Sequence, residues 1–389
     1  MAIAARLPHE VPVDLPLDTV AAAWFAVVAR HATFRTAFTR DGDGELQLHE
    51  IQVQPGAWIE HPIPDGVGTR DVLRAVLDQA CAPFERPSHR LALVIPDSAE
   101  SDRRPVMIIG ADHAHVDMWS LLIVLRDFFS ALDDLGAKRP PTPLLRTAAG
   151  FAEHSAALAV RPPAPDHVHR RWADILAAEG GRMPTFPLPL GTPDAARDSI
   201  VEVRDLLDAA ECERVADLAR ARGLRLISLV LSVLTRATRD LADAPLRAIF
   251  PVHSRDEERW RDSVGWYITN SVIESDDPDP AACASAIAEA IALGSHPLGP
   301  ILAPYGGMPV GPGMFALSWL DTRRLPLVPA GSDVQYVSAA IPDDGVMVWF
   351  VVNDAGLHLR ARYPDTPQAS VNVTAWLDAV ARGLRCLVG

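Results

Sequence analysis

Clustered prolines divide this chain into two parts, and each part mixes helical with strand patterns. The prolines concentrate in three short segments, at residues 139–143, 161–165 and 183–191. Because proline lacks a backbone N–H and fixes its own φ, such segments favour connectors over helices or central strands. The length of 389 residues also favours two lobes over one core. We therefore predict an N-terminal lobe, a proline-rich connector and a C-terminal lobe at residues 1–160, 161–195 and 196–389.

Apolar spacing predicts helices and short strands in both parts, for example a helix over residues 17–32 and a strand over residues 106–111. The turn sequences Asp343-Asp344-Gly345 and Asp354-Ala355-Gly356 would join late strands into a meander. Few strand–helix–strand crossovers can be drawn, so the pattern favours an α+β architecture with antiparallel or mixed sheets. No glycine-rich nucleotide-binding motif is present in the sequence.

Composition excludes several classes of protein. A net charge of −14 provides no basic stripe for nucleic-acid phosphates, so we expect no nucleic-acid partner. The four cysteines are scattered without a CxxC pair, so we expect no metal site and no redox motif. No apolar run approaches the roughly 18 residues of a membrane span, and the N-terminus lacks a signal-peptide core. These observations predict a cytoplasmic protein without a transmembrane segment.

The run Asp112-His-Ala-His-Val-Asp-Met-Trp-Ser120 joins an apolar strand pattern to an amphipathic helix pattern. A side chain at such a junction is held by two rigid elements and can still face a cavity. His113 is the residue type best suited to accept a proton near neutral pH, although a histidine that caps the next helix is the alternative. Asp117 directly precedes the helix and therefore suits an N-cap.

The HxxxD turn after a strand resembles the core motif of the chloramphenicol-acetyltransferase-like superfamily. This group includes nonribosomal peptide condensation domains, BAHD acyltransferases and polyketide-associated (Pap) acyltransferases. Against the condensation-domain motif HHxxxDG, His113 and Asp117 match the second histidine and the aspartate. Asp112 and Met118 stand where the first histidine and the glycine are usual. The BAHD motif DFGWG is absent, which disfavours that branch.

Further segments resemble the same superfamily in the same order. Residues 30–38 resemble "RHxxLRTxF", and residues 250–255 with 264–270 resemble "PVxxR…xGxFVNT". Residues 315–321 look most like the Pap branch that acylates trehalose-type glycolipids. The resemblance covers about residues 15–385 and implies a two-lobed α+β fold of the chloramphenicol-acetyltransferase-like (condensation-domain-like) type, with mixed sheets and a central tunnel.

The resemblance implies an acyltransferase with His113 as general base. The acyl group would move from a thioester, on coenzyme A or a phosphopantetheinyl carrier, to an acceptor hydroxyl in lipid, glycolipid, polyketide or nonribosomal peptide biosynthesis. The partners would be a small-molecule donor and acceptor, with an acyl or peptidyl carrier protein as a further candidate, and no tightly bound cofactor is implied. Two alternatives stay open: an amide-forming condensation catalyst on carrier-bound substrates, and an inactive member that binds a ligand or partner.

The resemblance also assigns roles to individual residues. Asp117 would hold the turn through an ion pair with an arginine of the other lobe, matched here by Arg255. Asp112 would orient His113 or simply lie in the turn, and the glycine at 265 would let the backbone approach a ligand. His154 lies in a polar helical stretch and is expected to be solvated. The predicted substrate-contacting residues are Asp112, Trp119, Gly265, Trp266, Ser318 and Trp319.

Overall fold

The computed structural model describes residues 1–7, 16–96, 104–141, 147–192, 199–325, 329, 331–337 and 343–389. They form two compact units. The first unit comprises residues 1–158, 255–267 and 325–339, and the second comprises residues 159–254, 268–324 and 340–389. Helices accompany an antiparallel sheet in the first unit and a mixed sheet in the second, which confirms the predicted α+β class.

The helices of the described residues are α1 (Leu17–Arg30), α2 (Thr69–Ala80), α3 (Met118–Gly136), α4 (Phe151–Ala159), α5 (Asp166–Ala178), α6 (Ala209–Ala221), α7 (Leu226–Ala242), α8 (Pro280–Gly294), α9 (Leu298–Leu302) and α10 (Pro367–Arg385). The strands are β1 (Ala2–Arg6), β2 (Thr36–Arg40), β3 (Leu46–Glu50), β4 (His89–Val94), β5 (Val106–Ala111), β6 (Ile200–Asp208), β7 (Leu246–His253), β8 (Ile268–Ser275), β9 (Phe315–Asp321), β10 (Gln335–Val337), β11 (Val346–Asn353) and β12 (Gly356–Tyr363).

The chain divides differently from the continuous lobes predicted from the prolines. Residues 255–267 and 325–339 return to the first unit, where β10 pairs antiparallel with β1. Residues 161–195 are not merely a connector, because α5 lies there and buries Val168 and Trp172 in a core of the second unit. The prolines before and after α5 interrupt the chain without preventing this amphipathic helix from packing.

The late strands form a hairpin and a parallel pair, not a simple meander. β11 and β12 pair antiparallel around the turn at Asp354 and Ala355, as predicted. β9 and β11, in contrast, pair in parallel, with Phe315 opposite Val346. The reason is that the intervening β10 lies in the first unit, so the chain re-enters the second unit at the same end of the sheet from which β9 starts.

In the first unit, the strand order is β10-β1-β5-β4. β5 is a nearly continuous buried run, and its core neighbours include Val27 of α1 and Leu121 and Phe128 of α3. β5 ends at Ala111 and α3 begins at Met118, so residues 112–117 form a short turn between two buried elements. This packing fixes both ends of the turn that carries the HxxxD motif.

In the second unit, the strand order is β6-β12-β11-β9-β7-β8. One large core gathers residues of this sheet with α6, α7 and α10, including Trp376 of α10. A smaller core joins α5 and α9 to β7 and β8. No single helix of the described residues is long and apolar enough to cross a membrane; α8 and the segment Leu298–Tyr305 meet that criterion only as a pair, with a 94° bend between them.

Buried histidines make the first unit sensitive to acid. His89 is 4% exposed, and its ring lies 4.9 Å from the Phe34 ring and donates from Nε2 to the Phe34 carbonyl. Burial lowers the pKa of His89 to about 4, and burial also lowers the pKa of His31. Below the ordinary histidine pKa of about 6.5, the unfolded chain therefore binds protons that the folded unit rejects.

We expect the free energy of unfolding to fall as the pH falls from about 6.5 to about 4, with His89 alone contributing roughly 3 kcal/mol. Urea unfolding followed by tryptophan fluorescence at pH 7.5, 5.5 and 4.5 measures this loss. His89→Gln is the matched variant, because its side chain can still donate to the Phe34 carbonyl but does not titrate in this range. An equal loss of stability in both proteins would contradict the assignment to His89.

Candidate active site

His113 presents one basic ring nitrogen. Its Nδ1 lies 2.8 Å from the carbonyl oxygen of Val116, the fifth residue of the turn that follows β5. Because a carbonyl only accepts hydrogen bonds, Nδ1 carries the proton and Nε2 keeps its lone pair. The side chain is exposed, yet the loss of hydration beside neighbouring residues lowers the pKa of His113. The arrangement therefore favours a neutral imidazole with Nε2 free to accept a proton.

Asp117 caps α3 and is paired with Arg255. Its Oδ1 accepts from the backbone N–H of Ser120 at 2.7 Å, and Arg255 donates to both carboxylate oxygens at 2.6 and 3.1 Å. The backbone N–H of Tyr267 donates to Oδ2 at 3.1 Å. Asp117 is 1% exposed and Arg255 is 3% exposed. A carboxylate with this many partners holds the turn and has no free position for proton transfer.

The structure changes one feature of the predicted pair. Arg255 was expected to come from the other lobe, but residues 255–267 belong to the same compact unit as Asp117. Arg255 follows β7 in sequence, and the chain enters the first unit at this residue. The ion pair therefore fastens a returning segment to the HxxxD turn within one unit.

Ser120 and Tyr267 complete this network, and neither residue was predicted from the sequence to have a functional role. Ser120 Oγ donates to the carbonyl of Gly265 at 2.9 Å and accepts from Arg255 at 2.8 Å. The Arg255 guanidinium lies 4.1 Å from the centre of the Tyr267 ring and 5.1 Å from that of Trp119. Trp119, predicted to contact substrate, thus packs on the guanidinium as a cation–π partner.

Trp266 contacts the proposed base. Its ring centre lies 4.6 Å from that of His113, and the two planes meet at 68°. Trp266 is half-buried, so part of the indole is open to solvent or a ligand. The structure thereby brings Trp266 and His113 together from sequence positions that are far apart.

The glycine at 265 serves packing, which corrects the prediction that it allows a ligand to approach. A Cβ atom at Gly265 would lie 2.4 Å from Cδ2 and 2.6 Å from Cγ of Phe151. The Phe151 ring of α4 therefore occupies the space that the missing side chain leaves. His154, on the same helix, is 1% exposed and packs 4.5 Å from the Tyr267 ring, so the expectation that it is solvated was wrong.

We expect Gly265→Ala to destabilise the first unit by about 1–3 kcal/mol, because the new methyl group overlaps the ring of Phe151. The midpoint of urea unfolding measures the effect. Gly136→Ala is the control, since nothing lies within 4 Å of a Cβ at that helical position. Gly265→Ala should lower the midpoint less in a Phe151→Ala background than in the wild type, because the overlapping ring is then absent. Equal midpoints for Gly265→Ala and the wild type would contradict the overlap.

Asp112 interacts with His115, which corrects the suggestion that it orients His113. Its Oδ1 accepts from the backbone N–H of Ala114 at 3.0 Å and lies 3.4 Å from His115 Nδ1. His115 is 3% exposed and packs 5.1 Å from the Phe38 ring. No group of three or more His, Cys, Asp or Glu side chains in the described ranges is arranged to hold a metal ion.

Ser318 and Trp319 lie on β9 in the second unit. Trp319 stacks 6.2 Å from the Phe350 ring against the large core of that unit. The apolar cavity beside it has a volume of about 20 Å³, which is too small for a substrate. Strand alternation places Ser318 on the opposite face, where its register partner is Trp349.

The sequence matches the condensation-domain family model over residues 6–291. The chain belongs to the condensation-domain family. It is 30% identical over 260 residues to the AMB antimetabolite synthetase AmbE of Pseudomonas aeruginosa, across 64% of this chain and 12% of that synthetase. It is 23% identical over 374 residues to the acyltransferase PapA3 of Mycobacterium tuberculosis, across 90% of this chain and 77% of PapA3. The chain therefore spans a small part of the synthetase and most of PapA3.

Solved structures show the same fold. The PapA2 acyl transferase superposes with a TM-score of 0.81 at 21% identity, covering 100% of this chain and 86% of PapA2. The first condensation domain of the calcium-dependent antibiotic synthetase superposes with a TM-score of 0.72 at 15% identity, covering 100% of this chain and 91% of that domain. These likenesses confirm the predicted two-lobed α+β fold, and the match to the condensation-domain family model confirms the predicted superfamily.

Proposed function

We propose that this condensation-family chain transfers an acyl group from a thioester to an acceptor hydroxyl, with His113 as the general base. The observation that carries the proposal is the hydrogen bond from His113 Nδ1 to the Val116 carbonyl, which leaves Nε2 as the basic atom. The similarity to PapA3, named an acyltransferase, supports the reaction class. The proposed reaction would serve natural-product or lipid biosynthesis.

In the proposed reaction, His113 alone accepts and returns the transferred proton. Nε2 takes the proton from the acceptor hydroxyl while the hydroxyl oxygen attacks the thioester carbonyl carbon. The carbon–sulfur bond then breaks, and the protonated imidazole returns the proton to the leaving thiolate. An ester and a free thiol are formed, and the histidine ends in its starting state. Asp117 and Arg255 contribute by fixing the turn, because their polar atoms bind each other and the surrounding backbone.

The donor in this proposal is an acyl-coenzyme A or an acyl group on a phosphopantetheinyl carrier protein. Both donors are acidic, and the chain itself carries a net charge of −14. Contact with either donor therefore needs a local group of basic side chains, because the overall field repels it. Trp266 is the proposed substrate-contacting residue beside His113, since part of its indole is open.

Amide formation on carrier-bound substrates is the second candidate function. The similarity to AmbE, named a synthetase, favours it. The same base would serve, because an amine acceptor also loses a proton as it attacks a thioester. The two candidates differ in the acceptor and in the carrier, so matched acceptors distinguish them.

Release of free thiol from a panel of acyl-coenzyme A donors tests the proposed function. Wild type and His113→Ala are each assayed with simple alcohol acceptors and with amine acceptors of the same carbon skeleton. We expect His113-dependent thiol release with alcohols, whereas release with amines alone would favour condensation. Equal thiol release above background by wild type and His113→Ala would overturn His113 as the base. Release at the level of the protein-free background by both proteins, across the whole panel, would favour a member that only binds ligands.

A further inference from the structure

We propose that Trp266 is a positioning residue, whose indole holds the His113 ring in the orientation that directs Nε2 toward the acceptor. This inference rests on the proposed role of His113 as the base. It differs from substrate contact, because a positioning residue acts on His113 even when no ligand is bound.

The backbone on both sides of Trp266 is fixed to the buried network. The N–H of Gly265 donates to Ser120 Oγ at 3.1 Å, and the Gly265 carbonyl accepts from the same hydroxyl at 2.9 Å. On the other side, the N–H of Tyr267 donates to Asp117 at 3.1 Å. The Phe151 ring lies directly against Gly265. Trp266 therefore cannot retreat from His113 by a backbone shift without breaking these contacts.

Within the described part of the chain, the His113 ring makes one hydrogen bond, from Nδ1 to the Val116 carbonyl. A single bond leaves an exposed imidazole able to rotate between rotamers, since the barrier between staggered states is low. The indole at 4.6 Å and 68° packs against the ring in an edge-to-face arrangement, which is a preferred geometry for aromatic pairs. The hydrogen bond and the ring contact together restrict both the tautomer and the rotamer.

The indole also excludes water from part of the imidazole. The pKa of His113 is lowered chiefly by desolvation, and Trp266 is an apolar group in direct contact with the ring. Removing the indole should admit water and raise the pKa of His113 toward its ordinary value. The neutral base would then be lost at a higher pH than in the wild type.

The experiment follows His113 in the ligand-free protein. The protein is labelled with ¹⁵N-histidine, and long-range ¹H–¹⁵N spectra report the tautomer and the pKa of each ring. The signal of His113 is assigned as the one missing from His113→Gln among the 13 histidines. Trp266→Ala and Trp266→Leu remove the indole, whereas Trp266→Phe keeps an aromatic ring. Trp58→Ala is the control, because it removes another half-buried tryptophan of the same unit, one that donates a hydrogen bond to the Leu17 carbonyl.

We expect a raised pKa and a mixture of tautomers for His113 in Trp266→Ala and Trp266→Leu. In Trp266→Phe and Trp58→Ala, the tautomer and the pKa of His113 should match those of the wild type. In the thiol-release assay, the acidic limb of kcat/KM should move to higher pH, with a loss of about tenfold at the optimum. An unchanged His113 tautomer and pKa in both Trp266→Ala and Trp266→Leu would overturn the inference. Failure of the proposed function is seen separately, as full thiol release by His113→Ala while the spectral changes of the Trp266 variants persist.

Discussion

Asp117→Ala is expected to destabilise the first unit by roughly 3–5 kcal/mol and to abolish acyl transfer. The substitution leaves the Arg255 guanidinium 3% exposed with no carboxylate to balance its charge. It also removes the N-cap of α3 and the acceptor of the Tyr267 N–H. Breaking a buried pair by removing one partner is costly for this reason, even where the intact pair adds little to stability.

The midpoint of urea unfolding and the rate of thiol release measure this prediction together. Asp117→Asn keeps an oxygen for the cap but loses the charge, so an intermediate loss of stability is expected. Glu258→Ala is the matched control, because its partner Arg261 lies on the same returning segment but both side chains are about 60% exposed. That control should change the free energy of unfolding by less than about 1 kcal/mol. Wild-type unfolding and turnover in Asp117→Ala would refute the structural role of the pair.

His113→Ala is expected to lower thiol release by about 10²–10⁴-fold, the usual contribution of a positioned general base. The side chain is exposed, so its removal should leave the unfolding midpoint near that of the wild type. Wild-type activity should fall on acidification below about pH 6.5, because the lowered pKa of His113 keeps Nε2 free of a proton down to that range. His113→Ala should lack this acidic limb in its residual activity.

His61→Ala is the control for the second prediction. His61 is another exposed histidine of the first unit, so its removal changes the histidine content without touching the HxxxD turn. Its thiol release should match the wild type at every pH. A loss in His61→Ala equal to that in His113→Ala would indicate a general effect of the substitutions and would contradict a specific role for His113.

Local features of the site could be predicted because neighbouring residues determine them. The apolar run before His113 and the acidic residue before Met118 were enough to place a strand, a turn and a capped helix, and the structure shows all three. The order of the motifs was enough to identify the superfamily, because it extends over most of the chain. No comparable local signal marks a histidine whose burial depends on rings from distant segments, and His154 was misjudged for that reason.

Long-range placement could not be read from the sequence. Nothing in residues 335–337 identifies β1 as the partner of β10, because a three-residue strand carries almost no register information. The glycine at 265 indicated a need for space, but glycine does not specify whether a ligand or a side chain fills that space. The structure assigns it to Phe151, which is more than a hundred residues earlier in the chain.

The return of residues 255–267 and 325–339 to the first unit constrains the order of events during synthesis. At about 5–20 residues per second, the ribosome completes α3 well before it makes Arg255. Until then, the Asp117 carboxylate lacks its Arg255 partner, and β1, which pairs with β5 on one side, lacks its second neighbour until β10 emerges. The HxxxD turn therefore cannot form its ion pair until residues 159–254 of the second unit have been translated, and the last segment of the first unit follows only after residues 268–324.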